Sequence, residues 1–206
     1  NYLYALWYPR RMTNNPIFVS HLPSSRYIEK YLREIDTSQN YSNFGPLTRK
    51  LESYFAEHLN SPRENVISCV NATLAIQGAV EVMSNLVNNQ LWHCPVFTFA
   101  ASAHAVINAR REIQFLDIDE TFRVPSSAIP TESNFLEVLP FGDEFEPKRF
   151  SDFKGGLIID AAASWYAVSG FANHTFDFPV ILVVSLHPTK YPGGAEGALV
   201  YSNSPT

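Results

Sequence analysis

Side chains that could bind a ligand follow four of the apolar segments in this sequence. The first group is Asn71-Ala72-Thr73, where the small Ala72 would let a ligand approach and the Thr73 hydroxyl could hold a phosphate. Taken alone, the same residues are explained better by an ordinary helix N-cap. The second group is Phe97-Thr98-Phe99, in which one ring could stack on a flat ligand or pack in the core.

The other two groups carry charge. Asp160 directly follows the apolar run Leu157–Ile159, and a buried carboxylate is costly unless something pairs with it. A metal ion, a helix cap or a protonated ring nitrogen would supply that partner, and the chain has no evident fellow ligands for a metal. Lys190 follows the run Val180–Val184 and Ser185, either as a solvated loop lysine or as an amine that attacks a carbonyl.

The order of the four groups is more specific than any one of them. An anion-binding turn, an aromatic ring, a buried carboxylate and a lysine are the parts that pyridoxal 5'-phosphate (PLP) requires. They would hold its phosphate, stack on its ring, pair with its ring nitrogen and form a Schiff base. The sequence therefore predicts a PLP site with Lys190 as the lysine that carries the cofactor.

Helical and strand-like segments alternate along the chain, which predicts an α/β fold with a mostly parallel sheet flanked by helices. In such sheets, ligands bind beyond the carboxyl ends of the strands. The predicted helices are Tyr27–Ile35, Leu47–Leu59, Thr73–Leu86 and Phe99–Ile107. The predicted strands are Val66–Val70, which we expect to be buried, Leu91–Cys94, Ile113–Leu116, Phe135–Leu139, Leu157–Ile159 and Val180–Val184.

The composition fits one globular domain, because 46% of the 206 residues are hydrophobic and 17% are charged. We divide residues 1–206 into an N-terminal arm with the first helix (1–40) and an α/β core (41–206). The net charge of −5 and the scattered basic residues argue against nucleic-acid binding. Apolar runs are too short for a membrane span, no signal peptide is evident, and two reduced thiols, Cys69 and Cys94, suit the cytoplasm.

The sequence resembles the DegT/DnrJ/EryC1/StrS family, the sugar-aminotransferase branch of the fold type I PLP enzymes. The resemblance runs in family order from about residue 17 to the end, and the block around Lys190 with Glu196-Gly197 is the most specific. The matching stretches are Asn43-Phe44-Gly45-Pro46 with Leu51-Glu52, Asn71-Ala72-Thr73, Pro95-Val96-Phe97-Thr98-Phe99-Ala100, Phe115-Leu116-Asp117-Ile118-Asp119, Leu139-Pro140-Phe141-Gly142, Ile159-Asp160-Ala161-Ala162, Ser185-Leu186-His187-Pro188-Thr189-Lys190 and Glu196-Gly197.

The resemblance implies the large domain of the aspartate aminotransferase fold and a role for each candidate residue. Lys190 would carry PLP and shuttle a proton, and Asp160 would pair with the ring nitrogen. Phe99 would stack on the ring. The Ala72 backbone, Thr73 and Ser185 would hold the phosphate. The family also implies a homodimer, for which the aromatic residues near the start are candidates if they are not a packed arm: Tyr2, Tyr4, Trp7 and Tyr8.

Several positions depart from the family pattern. Ala163 stands where a His or Gln is usual, and Ala198 replaces a second glycine. The span from Gly142 to Asp160 is short, which predicts that a helical connection there is trimmed. The chain also ends at Thr206, so we expect the family's C-terminal small domain to be absent from it.

Three functions from different classes follow from these features. The first is a PLP-dependent aminotransferase that moves an amino group, with glutamate as the expected donor, to a keto sugar linked to a nucleotide. The alternative is a non-catalytic or regulatory relative, which Ala163 and the short chain favour. A third is a different PLP reaction such as a dehydration, although the family's sugar dehydratases replace the lysine by histidine and Lys190 is present here.

Overall fold

The computed structural model describes residues 20, 22–42, 44–172 and 174–204. The predictions about Tyr2, Tyr4, Trp7 and Tyr8 therefore lie outside the described residues. The α-helices are α1 (Ser25–Ser38), α2 (Pro46–His58), α3 (Ala72–Leu86), α4 (Ala100–Asn108) and α5 (Ala167–Phe171). The strands are β1 (Val66–Cys69), β2 (Leu91–Pro95), β3 (Glu112–Leu116), β4 (Asn134–Val138), β5 (Leu157–Asp160), β6 (Val180–Ser185) and β7 (Ala198–Ser202).

The seven strands form one mixed sheet in the order β1-β7-β6-β5-β4-β2-β3. The five strands β2 to β6 run parallel, which confirms the predicted mostly parallel α/β fold. Strand β7 lies between β6 and β1 and is antiparallel to both. Because the parallel strands point the same way, the residues that follow β2, β4, β5 and β6 meet at one edge of the sheet.

Each face of the sheet has its own core. Helices α3 and α4 cover one face, where buried residues such as Ile76, Val106, Ile158 and Val183 form a single apolar cluster. Helices α2 and α5 pack on the other face, against Leu157, Ile159 and Leu182 among others. The parallel strands are apolar on both sides for this reason.

A layer of phenylalanine rings covers the second face between β4 and β5. No α-helix occurs in residues 139–156, all of which the structure describes, and the connection contains two short 3₁₀ helices instead. This agrees with the trimmed connection that the sequence predicts. Phe145 and Phe150 stack at 5.8 Å between ring centroids, and further rings extend the layer: Phe153, Phe171, Phe176 and Phe178. Large flat side chains thus bury the sheet where a helix would otherwise do so.

One prediction about burial is wrong. Val66–Val70 was expected to be a buried strand, but β1 is an edge strand with β7 as its neighbour, and Ile67 is half exposed. Only Val66 is buried in this strand, whereas Ser68 and Cys69 are both half-buried. The predicted amphipathic helix at Tyr27–Ile35 is present as α1, but none of its residues is buried. No helix among the described residues is long and apolar enough to cross a membrane.

Candidate active site

The carboxyl ends of β5 and β6 bring Asp160 and Ser185 to the same side of the sheet. Asp160 pairs in register with Val183, and Ser185 follows two residues later. Because side chains alternate along a strand, Val183 and Ser185 point the same way, toward α3. Asp160 also points to this side, since its carboxylate contacts Ser102 in α4. The sheet register therefore places the carboxylate and the hydroxyl on the same face of adjacent strands, two positions apart in register.

Asp160 is a buried carboxylate with two hydrogen-bond donors. The Ser102 hydroxyl donates to Oδ2 at 2.6 Å, and the Ala162 N–H donates to Oδ1 at 3.0 Å. Burial raises the pKa of Asp160 above its ordinary value, although these two hydrogen bonds and the charge of Lys190 oppose the rise. Each oxygen keeps a further lone pair, so the carboxylate can still accept a proton or an N–H from a ligand.

Lys190 lies in the loop after β6, close enough for its charge to act on Asp160. It is half-buried, and its backbone N–H donates to the carbonyl of His187 at 2.9 Å. Ser185 is buried, and its hydroxyl oxygen accepts the His187 N–H at 3.2 Å. The Ser185 proton is left available for a ligand. This loop therefore offers an amine and a hydroxyl donor beside the carboxylate of Asp160.

The N-terminus of α3 supplies backbone donors. Asn71 is the N-cap, and its side chain accepts the Leu74 N–H at 2.9 Å. The N–H groups of Ala72 and Thr73 have no partner within the helix, because they belong to its first turn. Thr73 is exposed and Ala72 packs in the same cluster as Val183. The interpretation as a helix cap is confirmed for Asn71, and phosphate binding by the next two residues, which keep backbone donors, stays a prediction.

The two aromatic rings after β2 have different surroundings. Phe97 packs against Phe122 and Phe141, at 5.1 Å and 6.0 Å between ring centroids. Phe99 is the N-cap residue of α4, and 79% of its surface is exposed. Phe97 is 38% exposed despite these contacts, so Phe99 has the larger surface free to stack on a ligand. Phe99 is therefore the better candidate for a stacking residue.

Two hydroxyl residues near Asp160 were not predicted from the sequence. The Thr98 hydroxyl donates to the Ser102 hydroxyl at 2.9 Å, and Ser102 in turn donates to Asp160. No local pattern marks them, because Thr98 precedes the N-cap Phe99 and the contact of Ser102 is with Asp160, 58 positions away in the sequence. By contrast, Ala163 is exposed and brings no polar group to Asp160.

A separate groove of about 570 Å³ lies between α3 and the β1–β7 end of the sheet. Apolar side chains such as Ile67, Leu74, Val82 and Val200 line it, while Asp160 and Lys190 do not. No group of three or more potential metal ligands occurs among residues 20, 22–42, 44–172 and 174–204. The candidate site is therefore the edge with Asp160 and Lys190, although the groove is the more concave feature.

The groups at this edge fit PLP by their chemistry. The α3 turn and the Thr73 and Ser185 hydroxyls are donors for a phosphate. Asp160 is an acceptor for a protonated ring nitrogen, Phe99 is an open ring for stacking, and Lys190 is an amine for a carbonyl. Each of these groups has the hydrogen-bonding or stacking character that the corresponding part of PLP requires.

The fold is that of the PLP-dependent aminotransferases. A Bacillus cereus protein assigned as a PLP-dependent aminotransferase aligns with a TM-score of 0.77 at 23% identity, over 93% of this chain and 55% of that one. The sequence profile of the DegT/DnrJ/EryC1/StrS aminotransferase family matches residues 24–132, just over half of the chain. The chain therefore belongs to that family, as the motifs around Lys190 predicted.

Two curated relatives match most of this chain. The dTDP-4-amino-4,6-dideoxy-D-glucose transaminase of Shigella dysenteriae is 25% identical over 92% of this chain and 53% of its own length. The dTDP-4-dehydro-2,3,6-trideoxy-D-glucose 4-aminotransferase of Saccharopolyspora spinosa is 25% identical over 82% of this chain and 46% of its own length. The chain thus spans about half the length of the curated relatives it matches.

Proposed function

We propose that this chain is the PLP-binding part of an aminotransferase that transfers an amino group to a keto sugar linked to a nucleotide. The observation that carries the proposal is the position of Asp160 and Lys190 at adjacent strand ends, where the charge of the lysine acts on the buried carboxylate. Family membership supports the reaction class, because the family is one of aminotransferases.

Each candidate residue has one task in this proposal. When bound, PLP supplies an aldehyde for an amine to attack and a ring that takes up electrons. The Lys190 amine holds that aldehyde and moves a proton at Nζ. The Asp160 carboxylate accepts the ring N–H and keeps the nitrogen protonated, and Phe99 covers one ring face. The backbone of Ala72 and the hydroxyls of Thr73 and Ser185 donate to the phosphate.

The substrate class is proposed from the relatives. Both curated relatives carry a dTDP-linked sugar in their names, and both are named as transaminases or aminotransferases. We therefore infer a nucleotide-linked keto sugar as the acceptor. Glutamate as the donor rests on the family resemblance.

A trapping experiment tests cofactor attachment. We expect the purified protein with PLP to gain a visible absorbance, which borohydride should abolish as it reduces the C=N bond to a stable amine and leaves the cofactor attached to the Lys190 peptide as a label. Lys190→Ala should remove the label, whereas Lys154→Ala should keep it, because Lys154 is an exposed lysine away from these strand ends. A label that survives Lys190→Ala would refute the assignment.

The amino donor separates the two function classes. A transaminase should lose its visible absorbance when glutamate is added and should release 2-oxoglutarate. The second candidate, a non-catalytic or regulatory relative, is favoured by the exposed Ala163, which gives Asp160 no side-chain partner. Binding of PLP without any response to glutamate or other amino donors would favour this relative.

The remaining proposals concern organisation. We propose that residues 1–206 form one PLP-binding domain, with an arm and first helix at 1–40 and the core at 41–206. We propose a homodimer, supported by the open apolar side of α1. A cytoplasmic location is supported by the two free thiols, Cys69 and Cys94.

A further inference from the structure

A chain of two hydroxyl groups leads to the buried carboxylate of Asp160. The Ser102 hydroxyl lies 2.6 Å from Asp160 Oδ2, and the Thr98 hydroxyl lies 2.9 Å from the Ser102 oxygen. A distance of 2.6 Å is in the range of hydrogen bonds to an ionised carboxylate. Because the single Ser102 proton goes to Asp160, the Thr98 hydroxyl must be the donor in the second bond. The carbonyl of Phe99, at 3.2 Å from the Thr98 hydroxyl, is a second and longer acceptor for the Thr98 proton.

Ser102 is held rigidly in this position. It is completely buried, and its backbone N–H donates to the carbonyl of Phe99 at 3.1 Å. Its hydroxyl is therefore fixed in the helical turn that begins at the exposed Phe99 ring. A buried hydroxyl on the first turn of α4 cannot rotate toward water, so the carboxylate has a partner of constant orientation.

Few other groups act on Asp160 from the elements around it. Lys190 contributes a positive charge from the loop after β6, and the Ala162 N–H donates from the same turn as Asp160. Cys94 in β2 also interacts with the charge of Asp160. Burial together with this charge raises the pKa of the Cys94 thiol to about 12, so the thiol stays neutral. Glu137 in β4 forms a 2.6 Å ion pair with Arg123, which neutralises much of its charge.

We propose that Ser102, oriented by Thr98, is the positioning residue that favours the ionised form of Asp160 and aims its carboxylate at one fixed point. Of the groups that act on Asp160, it is the one buried side chain. The backbone donor at Ala162 cannot be replaced by substitution, and Lys190 is only half-buried. The proposal rests on the proposed function only for the identity of the ligand that Asp160 meets.

The test is made first on the protein without cofactor. Ser102→Ala should raise the Asp160 titration midpoint, followed by carbon-13 NMR of the carboxyl group, by about one pH unit, because a hydrogen bond to the charged form is lost. The folded-state pKa of Asp160 is already raised, so stability falls as the pH rises through it. The variant should therefore lose more stability above the folded-state pKa of Asp160 than below it.

Three variants separate positioning from packing. Ser102→Thr keeps the hydroxyl and should restore the Asp160 midpoint. Thr98→Val keeps the shape but removes the second donor, and should shift the midpoint in the same direction by less. Ser84→Ala is the matched control, because Ser84 is another buried helical serine, bonded to Val80 and Trp92, and should cost stability equally at every pH. An unchanged Asp160 midpoint in Ser102→Ala would overturn the proposal.

A binding measurement connects this inference to the cofactor. Ser102→Ala should weaken PLP binding, read from absorbance, by about tenfold, because loss of the Ser102 hydrogen bond disfavours the ionised form of Asp160 that pairs with a protonated ring nitrogen. Unchanged PLP affinity together with an unchanged midpoint would count against Ser102. If the unaltered protein binds no PLP while the midpoint still shifts, the proposed function fails and the positioning role stands.

Discussion

At the scale of single residues, Glu52 is a second buried carboxylate, and it has a structural task. Its oxygens accept the backbone N–H and the hydroxyl of Ser68, each at 3.0 Å, and pair with Arg63 at 2.5 Å. These bonds tie α2 to the first strand of the sheet. Burial alone would raise the pKa of Glu52, but the hydrogen bonds from Ser68 and Arg63 outweigh burial and lower it.

Glu52→Gln should destabilise the fold by about 2 kcal/mol at neutral pH, since hydrogen bonds to a charged group are lost. The pKa of Glu52 is lowered, so its contribution is complete above its ordinary value of 4.5 and disappears as the pH falls through the folded-state value. Urea unfolding across pH should therefore show the two proteins converging in acid. Glu57→Gln, at an exposed site on the same helix, should change little. A constant difference between the Glu52 variant and the unaltered protein at all pH values would contradict this account.

Asp160 and Lys190 could be predicted as site residues, whereas Ser102 could not. A carboxylate or a lysine after an apolar strand is visible in the sequence, and parallel topology brings such positions to one edge. The role of Ser102 depends on Asp160, which lies 58 positions away in the sequence and accepts its hydrogen bond at 2.6 Å. Glu52 and Ser68 likewise become partners only through tertiary packing. Contacts between residues so far apart in the sequence leave no local sequence pattern.

At the scale of elements, the junction before β5 depends on a close backbone approach. A Cβ atom added at Gly155 would lie 2.0 Å from the carbonyl oxygen of Ser133, which precedes β4. At Gly156 it would meet the side chain of Met83 in α3 at 2.5 Å. Because neither glycine has a side chain, β5 can pack closely against its neighbours. The same strand ends at Asp160.

Gly155→Ala should cost about 3 kcal/mol, because the clash is with backbone and no side chain can move aside. Gly78→Ala in α3 is the control, since a Cβ there meets nothing within 4 Å and alanine favours a helix. That variant should gain up to about 1 kcal/mol. Thermal unfolding of both variants measures the difference, and equal effects would show that the approach at Ser133 is not tight.

The boundaries of α3 and of the parallel strands agree closely with the sequence-based predictions. The burial predicted for β1 does not agree with the structure. Helix α3 and the strands β2 to β6 lie within one residue of their predicted ends, because apolar runs and turn residues mark them. Strand β1 is as apolar as its neighbours, so nothing in Val66–Cys69 distinguishes an edge strand from a central one. That distinction depends on β7, which joins the sheet much later in the chain.

At the scale of the whole molecule, α1 presents an apolar side to solvent. Tyr27, Ile28, Tyr31 and Leu32 are exposed on it, and the helix buries no residue. Its described contacts to the remainder are polar or cation–π, such as Lys50 with Glu34 and with the Tyr31 ring. A helix of this kind is typical of a surface that another molecule covers.

The double variant Ile28→Asp and Leu32→Asp should convert the proposed homodimer to monomers in sedimentation measurements. The unfolding of the monomer itself should change by less than about 0.5 kcal/mol, because these side chains are exposed. Glu29→Gln with Arg33→Gln, on the opposite side of α1, should leave the dimer intact. A dimer that persists in the aspartate variant would place the interface elsewhere.

The pairing of β1 with β7 also determines how long β1 stays unpaired during translation. Val66 pairs with Tyr201, and β1 has no other strand neighbour in the part of the chain described. At about 5–20 residues per second, translation takes on the order of ten seconds to produce its partner. Throughout that interval the nascent chain carries an open strand edge, which other unfinished chains could join. Completion of β7 therefore covers one side of β1 and one side of β6, and leaves β1 and β3 as the edges of the finished sheet.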